Sequence, residues 1–298
     1  VVAIQQARLL RHFARWYIGA IALFGLTAVG CFALAQQVPL NAEALLWDSR
    51  QIVFLCGVFL LLALPFFFAA SAICLAFMHF GQQVARLYAM DLAGAGLGSV
   101  LSIAVLYGLF PQQALTLAAG LALLAGAVAV FELGMRHWRV AGASLMLILL
   151  VLIATGSALT LQLSPYKGLP QLLQVGGTRI LAERTSPLGL LQVVESARIP
   201  LRHAPGLSLN AQQEPLPQLA VFTDGDNMTV LTQTPAARAQ LAYLDQTTSA
   251  LAYHLRDIQH VLVVGAGGGS DVLQAQYHGT PRIDAVEINP QVIRLVNE

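Results

Sequence analysis

Five apolar stretches, at about residues 17 to 35, 52 to 77, 89 to 110, 113 to 131 and 140 to 162, constrain this chain more than any other feature. Each is long enough to cross roughly 30 Å of hydrocarbon as a helix and too long to be a strand. Backbone amides in hydrocarbon must find their partners within the same segment, so residues 1–163 are expected to form a transmembrane helical bundle whose main partner is the lipid bilayer. The charges agree. Residues 1–163 hold 11 of the 31 Asp, Glu, Lys and Arg residues and residues 164–298 hold the other 20, which makes the second half the water-facing one. A net charge of +1 gives no clustered basic surface of the kind that tracks phosphates, so nucleic acid is not expected as a partner. Five apolar segments are too many for a cleaved leader, and because the chain opens on Val1 its natural start is expected to lie upstream.

Within the bundle, Pro65 divides the second stretch and is expected to kink or break it. Gly94, Gly96 and Gly98 form a small-residue face suited to close helix packing. Asp91 is the one acid inside or at the edge of an apolar segment. It reads either as an interfacial residue opening the third helix or as a polar partner inside the bundle. Cys31, Cys56 and Cys74 lie in apolar runs without ligand spacing and read as small buried hydrophobes. Arg8, Arg11 and Arg15 put the N-terminus in the cytoplasm by the positive-inside rule, and five crossings would then leave the second half outside. An intracellular ligand requires the opposite, so a cytoplasmic second half and one miscounted span are expected.

Residues 164–235 alternate β-branched or apolar stretches with turn signals. Strands are expected near Thr178 to Glu183, Leu190 to Ser196, Leu219 to Thr223 and Met228 to Thr232, forming a small antiparallel region of hairpins. From Ala236 to Leu255 the apolar residues recur near a 3.6-residue period, which predicts a helix opened by Pro235. His203, His254, His260 and His278 are scattered along the chain, and no metal is expected.

The stretch from His260 to Pro290, HVLVVGAGGGSDVLQAQYHGTPRIDAVEINP, carries the chemistry. Val261 to Val264 reads as a central parallel strand and Gly265, Ala266, Gly267, Gly268, Gly269 and Ser270 as a loop able to approach a ligand closely. Asp271 to Tyr277 then reads as a helix with its free amides facing that loop, and Ile283 to Val286 as a second strand. Glu287 stands 22 residues after Gly265, the spacing at which an acid accepts hydrogen bonds from ribose hydroxyls. A nucleoside-bearing ligand is therefore expected. Ser270 occupies the place of the third glycine of a dinucleotide fingerprint, which weakens a nicotinamide reading without removing it. No Gly-Lys-Ser/Thr follows the glycines, which removes a phosphate-binding P-loop.

VLVVGAGGGSD followed by DAVEINPQVI, with SPYKGL at Ser164, LLQVVES at Leu190 and FTDGD at Phe222, resembles the spermidine synthase branch of class I S-adenosylmethionine-dependent enzymes over most of residues 164–298. The first half, including YAMDLAGAGLGS, is similar to that of bacterial multi-spanning membrane proteins carrying such a domain at their C-terminal end. The resemblance implies an incomplete Rossmann-like α/β domain of methyltransferase type, starting at residues 236–298. It implies decarboxylated S-adenosylmethionine or S-adenosylmethionine as donor, held by residues 265–270 and Glu287, and Tyr166, Gln192 and Asp224 on the substrate side. Aminopropyl transfer to an amine leads. Methyl transfer to a small or lipid-soluble acceptor, and a non-catalytic ligand sensor or scaffold, are the alternatives. The sequence departs from the family at Gly268, where soluble members have aspartate, and has no Tyr-His-Glu stretch within Asp245 to Leu255. Two strands do not close a doubly wound sheet, so the chain is expected to be part of a longer protein whose later strands supply the catalytic residues. The resemblance implies the bacterial inner membrane as location, and the sequence leaves open whether the chain forms a homo-oligomer.

Overall fold

The computed structural model describes residues 6–134, 142–143 and 159–298, and the chain divides into two compact units, Val1–Ser164 and Pro165–Glu298. The first unit is helical. A short α1 (Gln6–Arg11) leads into α2 (Phe13–Ala35), followed by α3 (Arg50–His79), α4 (Val84–Val105) and α5 (Pro111–Glu132). Among the described residues four helices, counting the turn from Gly81 with α4, are long and apolar enough to cross a membrane. The expected fifth span lies largely outside the described residues. Pro65 does not break the second segment: α3 runs through it as one helix of 30 residues, about 45 Å long at 1.5 Å per residue.

Local packing follows side-chain size. Where α2 meets α5, a Cβ added at Gly25 would lie 2.9 Å from the Ala119 carbonyl oxygen and 3.1 Å from Leu123 Cγ, so the missing side chain lets the two backbones approach. At the other end of α2, Phe13 stacks on His79 at a centroid distance of 3.9 Å and packs with Leu9 and Leu75. Gly94, Gly96 and Gly98 behave otherwise than expected. Among the described residues nothing lies within 4 Å of a Cβ built on any of them, and α4 has no buried residue. Asp91 sits two turns into α4 and is exposed, so it does not open the helix. Cys31 is buried, but Cys56 and Cys74 point outward from α3, because an apolar residue needs no protein cover on a lipid-facing helix.

The second unit is α/β. After α6 (Gly168–Leu173), strands β1 (Thr178–Ser186), β2 (Gly189–Ser196), β3 (Gln218–Thr223) and β4 (Asp226–Thr232) form an antiparallel sheet in chain order. Asp224 and Gly225 close the β3–β4 hairpin with φ of 54° and 75°, the pair of positive values that a two-residue hairpin turn of Asp-Gly type requires. One face of the sheet, through Leu191, Val193 and Val221, packs on Val292 and Leu295 of α9 (Pro290–Asn297).

The predicted helix from Ala236 to Leu255 is instead a 3-10 segment (Arg238–Gln246), a second short 3-10 turn at Thr248–Ala250 and α7 (Leu251–Leu255). Thr247 is extended and bridges to Leu207, while the Gln246 carbonyl accepts from Ser208 N–H. These tertiary bonds replace the helical ones that a weak β-branched pair, Thr247 and Thr248, would have to sustain. The chain closes with β5 (His260–Val264), α8 (Ser270–Tyr277), β6 (Arg282–Val286) and α9, the two strands pairing in parallel. This is one βαβ unit. Leu262 and Val264 are exposed, so β5 is not a strand covered on both faces among the described residues.

Candidate functional site

The βαβ unit positions the glycine loop. Gly265, Gly267 and Gly269 adopt φ of 74°, 51° and 89°, a region that L side chains rarely enter, so the glycines are required by the backbone path itself. The loop is tied to the C-terminal end of β6: Gly265 and Ala266 N–H donate to the Val286 carbonyl, and Gly267 N–H donates to Glu287 Oε2 at 2.9 Å. Glu287 Oε1 accepts from Asn289 N–H at 2.8 Å, and Asn289 in turn caps α9 by accepting from Gln291 N–H at 3.1 Å, with Pro290 in the first turn. Two N–H donors thus hold the carboxylate, and an ionised carboxylate has about four lone-pair positions, which leaves capacity for further donors.

Gly268 is needed for a different reason. Its N–H donates to Thr229 Oγ1 at 3.0 Å, and a Cβ there would be built into the Val230 carbonyl group of β4. An aspartate at this place would have no room.

On one side of the loop lies a cavity of about 320 Å³, bordered by Met228, Thr229, Tyr243, Thr247, Ala266 and Asp271 among others. On the other side a second, of about 550 Å³, reaches Glu287 and the residues of α9. The first is within the lower range of small-molecule sites, roughly 300–1,000 Å³. Burial pushes the Tyr243 phenol up in pKa, partly offset by a hydrogen bond with Thr232.

The substrate-side residues expected from the resemblance are placed elsewhere: Tyr166, Gln192 and Asp224 line neither cavity. Tyr166 is exposed in the turn before α6. Gln192 is buried in β2, where its Nε2 donates to Glu183 at 2.7 Å. Asp224 serves the hairpin, accepting from Leu190 N–H at 2.9 Å through Oδ1 and from Lys167 Nζ at 2.7 Å through its carbonyl.

A second cluster overturns the expectation of no metal. Asp245, His254 and His278, from the 3-10 segment, α7 and the C-terminal cap of α8, each offer a ligand atom, and these atoms lie within 4.8 Å of one another. Asp245 Oδ1 is 2.6 Å from His254 Nε2 and 3.5 Å from His278 Nε2. Separation along the chain gives no sign of this cluster. Tertiary packing brings them together: Leu241, Tyr243 and Leu244 pack with Leu273 and Tyr277 of α8, and buried Gln274 donates to the Leu244 carbonyl at 2.8 Å and to Thr247 Oγ1 at 2.7 Å. A His-Gly pair ending a helix was the available sequence signal for the position of His278. Gly279, with φ of 75°, turns the chain out of α8 while its N–H and that of Thr280 satisfy the last carbonyls. Burial lowers the His278 pKa, Asp245 raises it again, and His254 and Arg238 lower it. The remaining two histidines stay apart, with His260 paired to Asp284 at 2.7 Å.

The structure therefore joins apolar helices suited to a bilayer to an α/β unit with a glycine loop and a three-residue candidate cation cluster. No protein-family model, curated protein or solved structure matches this chain.

Proposed function

We propose that the chain is a membrane-bound, spermidine synthase-like alkyl transferase that takes decarboxylated S-adenosylmethionine as donor and an amine as acceptor. The observation that carries this reading is the strand, glycine loop, helix and strand closing on Glu287, with three glycines in left-handed conformations and the acid bonded to the loop amide of Gly267. In such a site the loop amides border the methionine-derived part of the donor and Glu287 accepts from its ribose hydroxyls. The acceptor nitrogen displaces the sulfonium by attacking the adjacent propyl carbon; the carbon–sulfur bond breaks, the thioether leaves and the nitrogen loses a proton. Holding the two reactants in line is the main contribution such a site makes to the rate. A charged sulfonium nucleoside made in the cell does not readily cross hydrocarbon, so the ligand-binding unit is assigned to the cytoplasmic face of a bacterial inner membrane.

One observation favours a second reading, methyl transfer from S-adenosylmethionine to a small or lipid-soluble acceptor. Among the described residues Asp271 is the one acid bordering the smaller cavity, whereas a diamine needs carboxylates for its ammonium groups. Calorimetric titration of the detergent-solubilised protein with both sulfonium ligands and with NAD separates the classes. Binding of either sulfonium ligand, weakened at least tenfold by Glu287→Ala, is expected. Binding of NAD alone would overturn the assignment, and product from S-adenosylmethionine but none from its decarboxylated form would reverse the order of the two transfer reactions.

A further inference from the structure

We propose that Asp245, His254 and His278 bind one divalent transition-metal ion of the zinc class, which clamps α8 to the 3-10 segment and α7. The donor set is the first argument. Two imidazole nitrogens and one carboxylate oxygen suit zinc and its neighbours, whereas magnesium and calcium take oxygen ligands. Three protein ligands with the fourth place left to solvent is a recurrent zinc arrangement.

Geometry is the second argument. Tetrahedral zinc with bonds of roughly 2.0–2.1 Å holds its ligand atoms about 3.3 Å apart. The Asp245 to His278 separation of 3.5 Å is already close to this. The Asp245 to His254 separation of 2.6 Å is a hydrogen bond and must open by about 0.7 Å to meet the tetrahedral spacing. Both of those side chains are substantially exposed, and His254 is near the end of a five-residue helix, so the adjustment needs no repacking of a core.

The third argument is His278 itself. Its Nε2 is shielded from solvent and makes no hydrogen bond among the described residues, although it faces the Asp245 carboxylate. Buried polar nitrogens are seldom left unpaired, and an unpaired one calls for a missing partner. The ring is also fixed in place. Tyr253 stacks on it at a centroid distance of 4.3 Å and an interplanar angle of 7°, and Tyr277 meets it edge-on at 5.2 Å. A histidine and aspartate that merely paired on the surface would need neither a second histidine nor this support.

The clamp has a consequence for the neighbouring cavity. His278 caps the C-terminal end of α8, the glycine loop enters its N-terminal end, and Asp245 follows Tyr243 and Leu244, which line the opposite wall. A metal at this cluster fixes the separation of those walls whatever ligand the cavity takes. Arg238 also borders the cluster, seated over the Tyr277 ring at 5.6 Å, and its charge favours water or a small anion at the open position.

The experiment is equilibrium dialysis of the tag-free, detergent-solubilised full-length protein against zinc, with bound metal measured by elemental analysis and the site examined by cobalt(II) substitution. Saturable binding of one zinc per chain is expected, with the visible absorption of four-coordinate cobalt. Asp245→Asn, His254→Gln and His278→Gln should each weaken zinc binding by at least tenfold. His254→Gln keeps the proposal testable if the His278 variant fails to fold, because its side chain is exposed. Absence of saturable zinc binding in the unmodified protein, or unchanged affinity in a folded variant, would overturn the proposal. No nucleoside ligand enters the measurement, so its outcome is independent of the transferase reading.

Discussion

Replacing Gly268 by alanine probes how the glycine loop is held against β4. The residue has an ordinary backbone conformation, so the effect is steric and not conformational. The new Cβ would stand 2.6 Å from the Val230 carbonyl carbon and 3.2 Å from Thr229 Oγ1; the first of these is backbone that cannot swing aside. Overpacking of this kind costs about 1–3 kcal/mol. Separating the loop from β4 also breaks the Gly268 N–H to Thr229 bond, worth a further ~0.5–1.5 kcal/mol. Together these predict a loss of about 1.5–4.5 kcal/mol. Gly265→Ala supplies the contrast. Among the described residues no atom lies within 4 Å of a Cβ placed there, but φ is 74°, so only conformational strain of about 1–2 kcal/mol is expected. All three tryptophans precede Ser164 and do not report on this unit, so the measurement is hydrogen exchange of peptides covering residues 226–232 and 260–270 as a function of denaturant. Gly268→Ala should deprotect both peptides more than Gly265→Ala does, and Gly268→Asp more again. If Gly268→Ala lost less than about 0.5 kcal/mol, an ordinary surface effect, the close approach of β4 to the loop would be refuted.

Three further outcomes are expected. Gly25→Leu should separate α2 from α5 and lower the midpoint of denaturation in mixed detergent micelles, by about 1–3 kcal/mol of packing energy, whereas Gly96→Leu, with nothing near its Cβ, should be close to neutral; equal effects would contradict the assigned contact. Asp284 has its pKa lowered chiefly by the His260 hydrogen bond, so its contribution to stability is present above the ordinary value of 3.8 and fades as pH falls through the lower folded value; the thermal midpoints of the unmodified protein and Asp284→Asn should therefore differ at pH 7 and converge in strong acid, and a gap that widens in acid would reverse the sign. A single cysteine at exposed Gln276, after removal of Cys31, Cys56 and Cys74, should resist an impermeant thiol reagent in intact cells and react once the inner membrane is opened; labelling of intact cells would place the unit outside.

Signals that act over a few residues were legible in the sequence. The long apolar helices, the four strands with their turn residues, and the glycines that enter left-handed backbone all follow from hydrophobic period, turn chemistry or the absence of a Cβ, each a property of the chain nearby. The α9 start at Asn289 and Pro290 is of the same kind. Features that depend on what lies across space were not legible. The segment from Ala236 to Leu255 carried a helical period, which the Ser208 N–H bond and the Leu207 bridge divide. Gly94, Gly96 and Gly98 suggested close packing, yet Gly25 is the glycine that α5 presses against, because small size permits an approach without specifying a partner. The cluster of Asp245, His254 and His278 is the clearest case. No spacing rule joins residues 9 and 24 positions apart on three elements, and only the packing of Leu241 and Leu244 on α8, with the stacking of Tyr253 on His278, turns their donor atoms toward one point.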